Sequence, residues 1–195
     1  MRYAPDHKET ARAKILHAVG RGFRSQGYNG IGVDGLAKEA DVTSGAFYGH
    51  FSSKADAFQA AAVAGLVELR EAIETLRAKE GDRWLGKFAE FYLGFKRTCD
   101  LKESCALQSL TPEVARAGKE TKSAYEAEML RLIEAIAEGL PKGTLVTRRK
   151  TSWAILALLS GGVTLARASH DPKIGAQIAN AVTATVITAA EAAGE

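Results

Sequence analysis

The stretch from Gly35 to Phe51, GLAKEADVTSGAFYGHF, constrains the fold more than any other part of the chain. It reads as two short helices separated by a tight polar turn. Leu36, Ala37 and Ala40 share one face of the first helix at i, i+1 and i+4, and Asp41 and Thr43 bracket the turn around Val42 as a buried plug. The Thr43 hydroxyl is placed to accept a bond from a free backbone N–H of the next turn and so to start the second helix. That helix sets Ser44, Gly45, Ala46, Tyr48, Gly49 and His50 around a buried pair, Phe47 and Phe51, spaced i,i+4. Small and hydroxyl residues on an outward face let a helix enter the major groove of DNA, which is just wide enough to admit one. The layout is that of a helix-turn-helix; an ordinary αα-corner is the alternative these residues leave open.

The flanks narrow the choice. Upstream, Thr10 to Gly27 forms an amphipathic helix with Ile15, Leu16, Val19 and Phe23 on one stripe and Lys8, Arg12, Arg21 and Arg24 mostly off it. Gly27 is a natural helix stop, followed by Tyr28. Downstream, Ser53-Lys54-Ala55-Asp56 is a cap with an acid at its third helical position, which starts another helix.

This order resembles the N-terminal domain of the tetracycline-repressor (TetR) family of bacterial transcription regulators over about Thr10 to Phe58, most densely from Val42 to Lys54. The resemblance implies an all-α chain, with a three-helix helix-turn-helix DNA-binding domain at 1–55 and a helical ligand-binding and dimerisation domain at 56–195. Tyr48, His50 and Lys54 match the family's phosphate-contacting positions, and Ser44, Gly45, Ala46 and Gly49, headed by Thr43, face base edges. Two positions depart from the family pattern. Ile31-Gly32 stand where a Thr or Ser pair commonly starts the second helix, which removes a hydroxyl cap. Asp41 replaces the usual turn glycine, and an Asp tolerates left-handed backbone angles better than most residues.

Composition bears on partners and compartment. The chain has 195 residues, 46% of them hydrophobic, and a net charge of +3. Residues 1–55 hold eight basic and five acidic side chains, leaving 18 of each in the rest, so the whole positive excess lies in the N-terminal quarter. A polyanion partner is the simplest reason, although an uneven solvated surface has the same effect. The polar, charged start gives no signal peptide, and the most apolar run, Trp153 to Ala166, is too short for a membrane span. With two cysteines, a reducing cytoplasm without a structural disulfide is expected.

Beyond Phe58 the pattern is helical almost throughout. A long helix from Ala55 to Lys79 is broken by Gly81, and Asp82 is expected to cap the next, which carries Trp84, Leu85, Phe88, Phe91, Tyr92 and Phe95. Thr111-Pro112 reads as a cap followed by proline at the first helical position. A helix from about Thr121 to Glu138 follows, then a loop to about Thr147. The helices Thr151–Ser169 and Lys173–Ala192, the latter capped at Asp171-Pro172, look like half of a four-helix dimer interface, with an intramolecular core as the other possibility. A charge at Val182 or Gly162 is expected to give monomers.

No pair among His7, His17, His50 and His170 has metal-ligand spacing, and no phosphate loop or nucleophile elbow occurs, so neither an enzyme nor a cofactor is expected. The expected function is that of a homodimeric repressor, released from near-palindromic double-stranded operator DNA by a small hydrophobic inducer, without membrane association. Phe88, Tyr92, Tyr125, Met129 and Trp153 are candidates for lining the inducer pocket. The segment around Ala106 to Ala115 also looks like a TetR branch that includes electrophile-responsive repressors. That likeness makes Cys105 a candidate sensor with Cys99 as its partner, assisted by Lys102 and Arg97. An inert structural role for both thiols is the alternative. An enzyme or a helical interaction module with an appended helix-turn-helix is a remote alternative.

Overall fold

The structure, a computed structural model, describes residues 5–192, with side chains from Glu9 onward; Arg2, Asp6, His7 and Lys8 therefore lie outside the described side chains. Every regular element among the described residues is helical. The chain divides into two compact units, one of residues 1–65 and 100–125, the other of residues 66–99 and 126–195.

In the first unit, α1 (Pro5–Gly30) buries Ile15, Val19 and Phe23 along the expected stripe. It is interrupted at Gly27, whose φ of 75° and ψ of 170° leave the helical region. Only glycine takes these angles at little cost. The regular helix thus ends where the sequence places its stop, and Tyr28 begins a separate turn. α2 (Val33–Glu39) starts at Gly32 without a side-chain cap, the consequence of losing the hydroxyl there. α3 (Ser44–Tyr48) follows, then α4 (Lys54–Glu80), which opens on the expected Ser53 cap. Ser53 Oγ accepts the Asp56 N–H at 3.0 Å, while Asp56 Oδ2 accepts from the Ser52 N–H at 2.8 Å.

A single 3₁₀ turn at Leu101–Glu103 leads into α6 (Ala106–Val114). Here the sequence expectation fails. Thr111 and Pro112 lie inside α6, not at its start; the helix begins after Cys105 and buries Ala106, Leu107, Leu110 and Val114. Proline forfeits one backbone bond, a small loss so close to the helix end, and that apolar stripe holds the turn. The Thr111 hydroxyl bonds Leu107 O and the Tyr125 hydroxyl instead of capping. The first turns of α7 (Lys119–Gly139) complete this unit.

The second unit is built around α5 (Trp84–Thr98), α8 (Leu145–Ala168) and α9 (Pro172–Ala192). α5 is preceded by a 3₁₀ turn at Gly81–Arg83 and has no side-chain cap, so Asp82 does not play the expected part. α8 starts two turns earlier than the sequence suggests, because the Thr144 hydroxyl accepts the Thr147 N–H at 3.2 Å. The resulting 24-residue helix is long and apolar enough by length and composition to cross a bilayer, beyond the short run read from the sequence. Its buried face, with Ile155, Leu159 and Val163, packs as a core helix does, with α5 and α9 as its neighbours. At Gly162 an added Cβ would lie 3.0 Å from Val182 and 3.1 Å from Leu93, so close three-helix packing explains this glycine. Gly162 therefore belongs to the protomer's own core, and a side chain there meets Val182 and Leu93 before any subunit contact; Val182 itself is half-buried. Gly161 has open space around it.

Several buried polar groups in this unit are paired. Glu128, 2% exposed, accepts from Arg70 Nε at 2.8 Å and Arg131 Nη1 at 2.7 Å. Burial pushes its carboxyl up, but the bonds from Arg70 and Arg131 outweigh that and hold it below the usual range. Trp84 Nε1 donates to Gly139 O at 2.9 Å, and the Arg167 guanidinium donates to Lys96 O at 2.6 Å and Cys99 O at 3.0 Å. The last pair neutralises free carbonyls at the C-terminus of α5.

Candidate nucleic-acid interface

The turn between α2 and α3 is built from local bonds. Asp41 has a φ of 54°, as the turn requires, and the Val42 N–H reaches back to Ala37 O at 2.9 Å. Val42 itself is half-buried. Thr43 caps α3 through its side-chain oxygen, which accepts the Ala46 N–H at 3.1 Å. Phe47 and Phe51 are fully buried with ring centroids 5.2 Å apart, and they anchor α3 from beneath. Burying two such rings contributes roughly 3–6 kcal/mol, far more than five residues gain from helix propensity. That burial decides which side of α3 faces out: Gly45, Ala46, Tyr48 and Gly49 are exposed and Ser44 is half-exposed.

Two features of this surface were not legible in the sequence. Ser44 Oγ donates to Asp34 Oδ1 at 2.6 Å, which commits the hydroxyl hydrogen and places a carboxylate of α2 beside the head of α3. Lys54 Nζ lies 4.5 Å from the Tyr28 ring centroid, a cation–π contact that fixes the ammonium near the start of α4. His50 is half-buried, and its Nδ1 has no hydrogen-bond partner among the described residues.

Behind this surface, an ion-pair group ties α1 and α2 to the 3₁₀ turn at Leu101–Glu103. Lys102 Nζ donates to both Glu39 oxygens at 2.9 Å, Arg21 Nε lies 3.7 Å from Glu39 and 3.9 Å from Glu103, and Arg24 Nε donates to Lys102 O at 2.8 Å.

A tripartite segment with a left-handed turn residue, a threonine-capped second helix and an anchored aromatic pair is common to many helix-turn-helix proteins. The discriminating finding is a sequence match: residues 15–61 fit the family described as bacterial regulatory proteins, tetR family. Over this segment the chain matches the TetR family. Solved proteins share its fold along nearly the whole length, TetR-family regulators among them. One from Cytophaga hutchinsonii is 16% identical, with a TM-score of 0.75 over 96% of this chain and 98% of that one. One from Streptomyces coelicolor is 20% identical, with a TM-score of 0.75 over 96% and 97%. The reduced form of E. coli NemR is 19% identical, with a TM-score of 0.74 over 91% and 95%. At these identities the likeness concerns the fold. No curated protein matches the chain in sequence.

The other candidate residues are scattered. Phe88 and Tyr92 are buried on α5 with rings 5.4 Å apart. Met129 is half-buried in the same compact unit, and Trp153, 40% exposed, sits on the outward side of α8. Tyr125 falls in the first unit, where its hydroxyl meets Thr111 Oγ1 at 2.7 Å. Burial raises its pKa to about 12, against the lowering effect of the Thr111 bond and with a further rise from Cys105. Of the sulfurs, Cys105 is buried at the start of α6, and Cys99 is half-buried with its Sγ 3.3 Å from Arg167 Nη2. The cations expected to act on the thiols are engaged elsewhere: Lys102 on Glu39, Arg97 Nε on Leu93 O at 2.8 Å.

Proposed function

We propose that this chain is a homodimeric cytoplasmic repressor that grips a near-palindromic operator through α3 and releases it when a small hydrophobic inducer binds. The carrying observation is the outward face of α3, small and uncharged over its first turn, backed by Phe47 and Phe51. In this proposal residues 1–55 read DNA and residues 56–195 bind the inducer and pair the subunits. Ser44, Gly45, Ala46 and Gly49, headed by Thr43, meet base edges, while Tyr48, His50 and Lys54 meet phosphates. Pairing through α8 and α9 is supported by an apolar row on α8, Trp153, Ala157, Gly161 and Leu165, which is open on the protomer. Two recognition helices on successive major-groove faces need half-sites about 34–36 Å apart or slightly more.

Phe88, Tyr92 and Met129, all in the second compact unit, remain the proposed inducer residues; Tyr125 falls in the first unit, and Trp153 is given to the subunit pairing. An inducer acts only through its differential affinity for the DNA-competent and released states. Release through a thiol has weaker support: Cys105 is 7% exposed, and the sulfur that a guanidinium does reach is that of Cys99. Catalysis forms no part of the proposal.

A mobility-shift titration across a salt series tests the DNA contacts. Lys54→Ala removes one phosphate contact, so it should weaken all operators alike and lower the slope of log K against log salt by about one. Changing Ala46 should instead alter which operator is preferred, by about 1–3 kcal/mol per disturbed base contact. Unchanged affinity and slope for Lys54→Ala would remove that residue from the interface.

A further inference from the structure

One carboxylate ties the end of α1 to α6. Glu113 Oε2 accepts the Tyr28 backbone N–H at 2.5 Å, and no ion pair of Glu113 occurs among the described residues. The acid faces a cavity of about 370 Å³ within the first compact unit, in the size range of small-molecule sites. Tyr28 and Phe58 form an aromatic wall beside it, their rings edge-to-face at 5.1 Å. The Tyr28 ring is already engaged by the Lys54 ammonium at 4.5 Å and stacked on Phe23 at 6.0 Å, so it offers a ligand apolar contact and not a free site for a second cation. Thr121, also in the lining, spends its hydroxyl on Gln59 Oε1 at 3.3 Å. Arg116 is the one cation among the lining residues; it is exposed, so water and salt screen its charge more than that of the half-buried Glu113.

We propose that this cavity binds a small organic cation with a flat apolar body, its ammonium group against Glu113 and its body on the Tyr28 and Phe58 rings. A carboxylate without an ion-pair partner attracts the ammonium group coulombically, and the aromatic wall gives the flat body apolar contact. No residue of this cavity is among the proposed inducer residues, so it is a second site. The bound cation competes with the Tyr28 N–H for Glu113, at the turn that leads from α1 into the helix-turn-helix. That regulatory consequence rests on the proposed function; binding itself does not.

Isothermal titration of the full chain with benzyltrimethylammonium chloride is the test. The expected result is saturable binding of one cation per chain with a Kd of about 1 mM or tighter, and benzoate and benzyl alcohol weaker by at least about tenfold. Glu113→Gln keeps a carbonyl acceptor for Tyr28 and should weaken the cation by at least about tenfold. Glu120→Gln, the same loss of charge at an exposed position outside the cavity, should leave the affinity unchanged. Arg116→Ala should preserve or tighten binding. No saturable heat up to about 10 mM, equal binding of benzoate, an undiminished Glu113→Gln, an equal loss in Glu120→Gln, or a loss in Arg116→Ala each overturns the proposal. The titration contains no DNA, so its failure leaves the repressor proposal standing, and failed operator binding leaves this site standing.

Discussion

Gly27→Ala isolates the junction at the end of α1. Two separate costs arise there. At φ 75° and ψ 170° any side chain is strained, by about 1–3 kcal/mol. In addition, the new Cβ would stand 2.7 Å from Glu113 Oε1, closer than the two atoms tolerate. Glu113 must move, and its charge-assisted bond from the Tyr28 N–H is lost or stretched, worth about 1.5–3 kcal/mol. Allowing for partial relaxation, the sum is about 2–5 kcal/mol, which for a chain of this length lowers Tm by about 4–20 °C. Thermal melting followed by circular dichroism measures it. A double-mutant cycle separates the terms: in a Glu113→Ala background the close contact is already gone, so Gly27→Ala should cost only the backbone share, about 1–3 kcal/mol. A Gly27→Ala protein melting within about 2 °C of wild type, or an equal loss with and without Glu113, would refute this account of the junction.

Two further outcomes follow from single positions. Leu165, 62% exposed on α8, tolerates a charge within the protomer, so Leu165→Glu should melt normally as a fold yet dissociate the dimer. Two-fold symmetry counts each lost leucine twice, about 3–6 kcal/mol, and sedimentation at about 1 μM should show monomers with operator binding lost; a persisting dimer removes α8 from the interface. Tyr125 is held neutral by burial, with a folded pKa raised to about 12. A raised folded value means its stabilising contribution is complete below the unfolded pKa of about 10 and is lost as pH rises from there toward 12. The difference in tyrosinate absorbance between wild type and Tyr125→Phe should therefore appear near pH 12 while the protein is folded; a difference centred near 10 would contradict the burial argument.

What the sequence determined by itself is what depends on neighbours along the chain. The Thr43 cap, the left-handed Asp41, the Ser53 cap on Asp56, the stop at Gly27 and the Phe47–Phe51 spacing all act within about one helical turn, where covalent connectivity brings the partners together. The same locality misled at Thr111-Pro112 and Asp82. Each has the composition of a helix start, but the apolar stripe of α6 needed the preceding residues, and the turn at Gly81 already leads into α5. Tertiary structure alone decided which groups meet across tens of residues: Ser44 with Asp34, Glu113 with the Tyr28 N–H, Lys102 with Glu39, Glu128 between Arg70 and Arg131, and Gly162 against Val182. It also decided that Phe91 and Phe95, stacked at 5.6 Å, stay about half exposed while Phe88 and Tyr92 on the same helix are buried. Aromatic content shows how much apolar surface α5 has to bury; only the placement of α8 and α9 selects the face that does so, because burial depends on which element the folded chain packs against it.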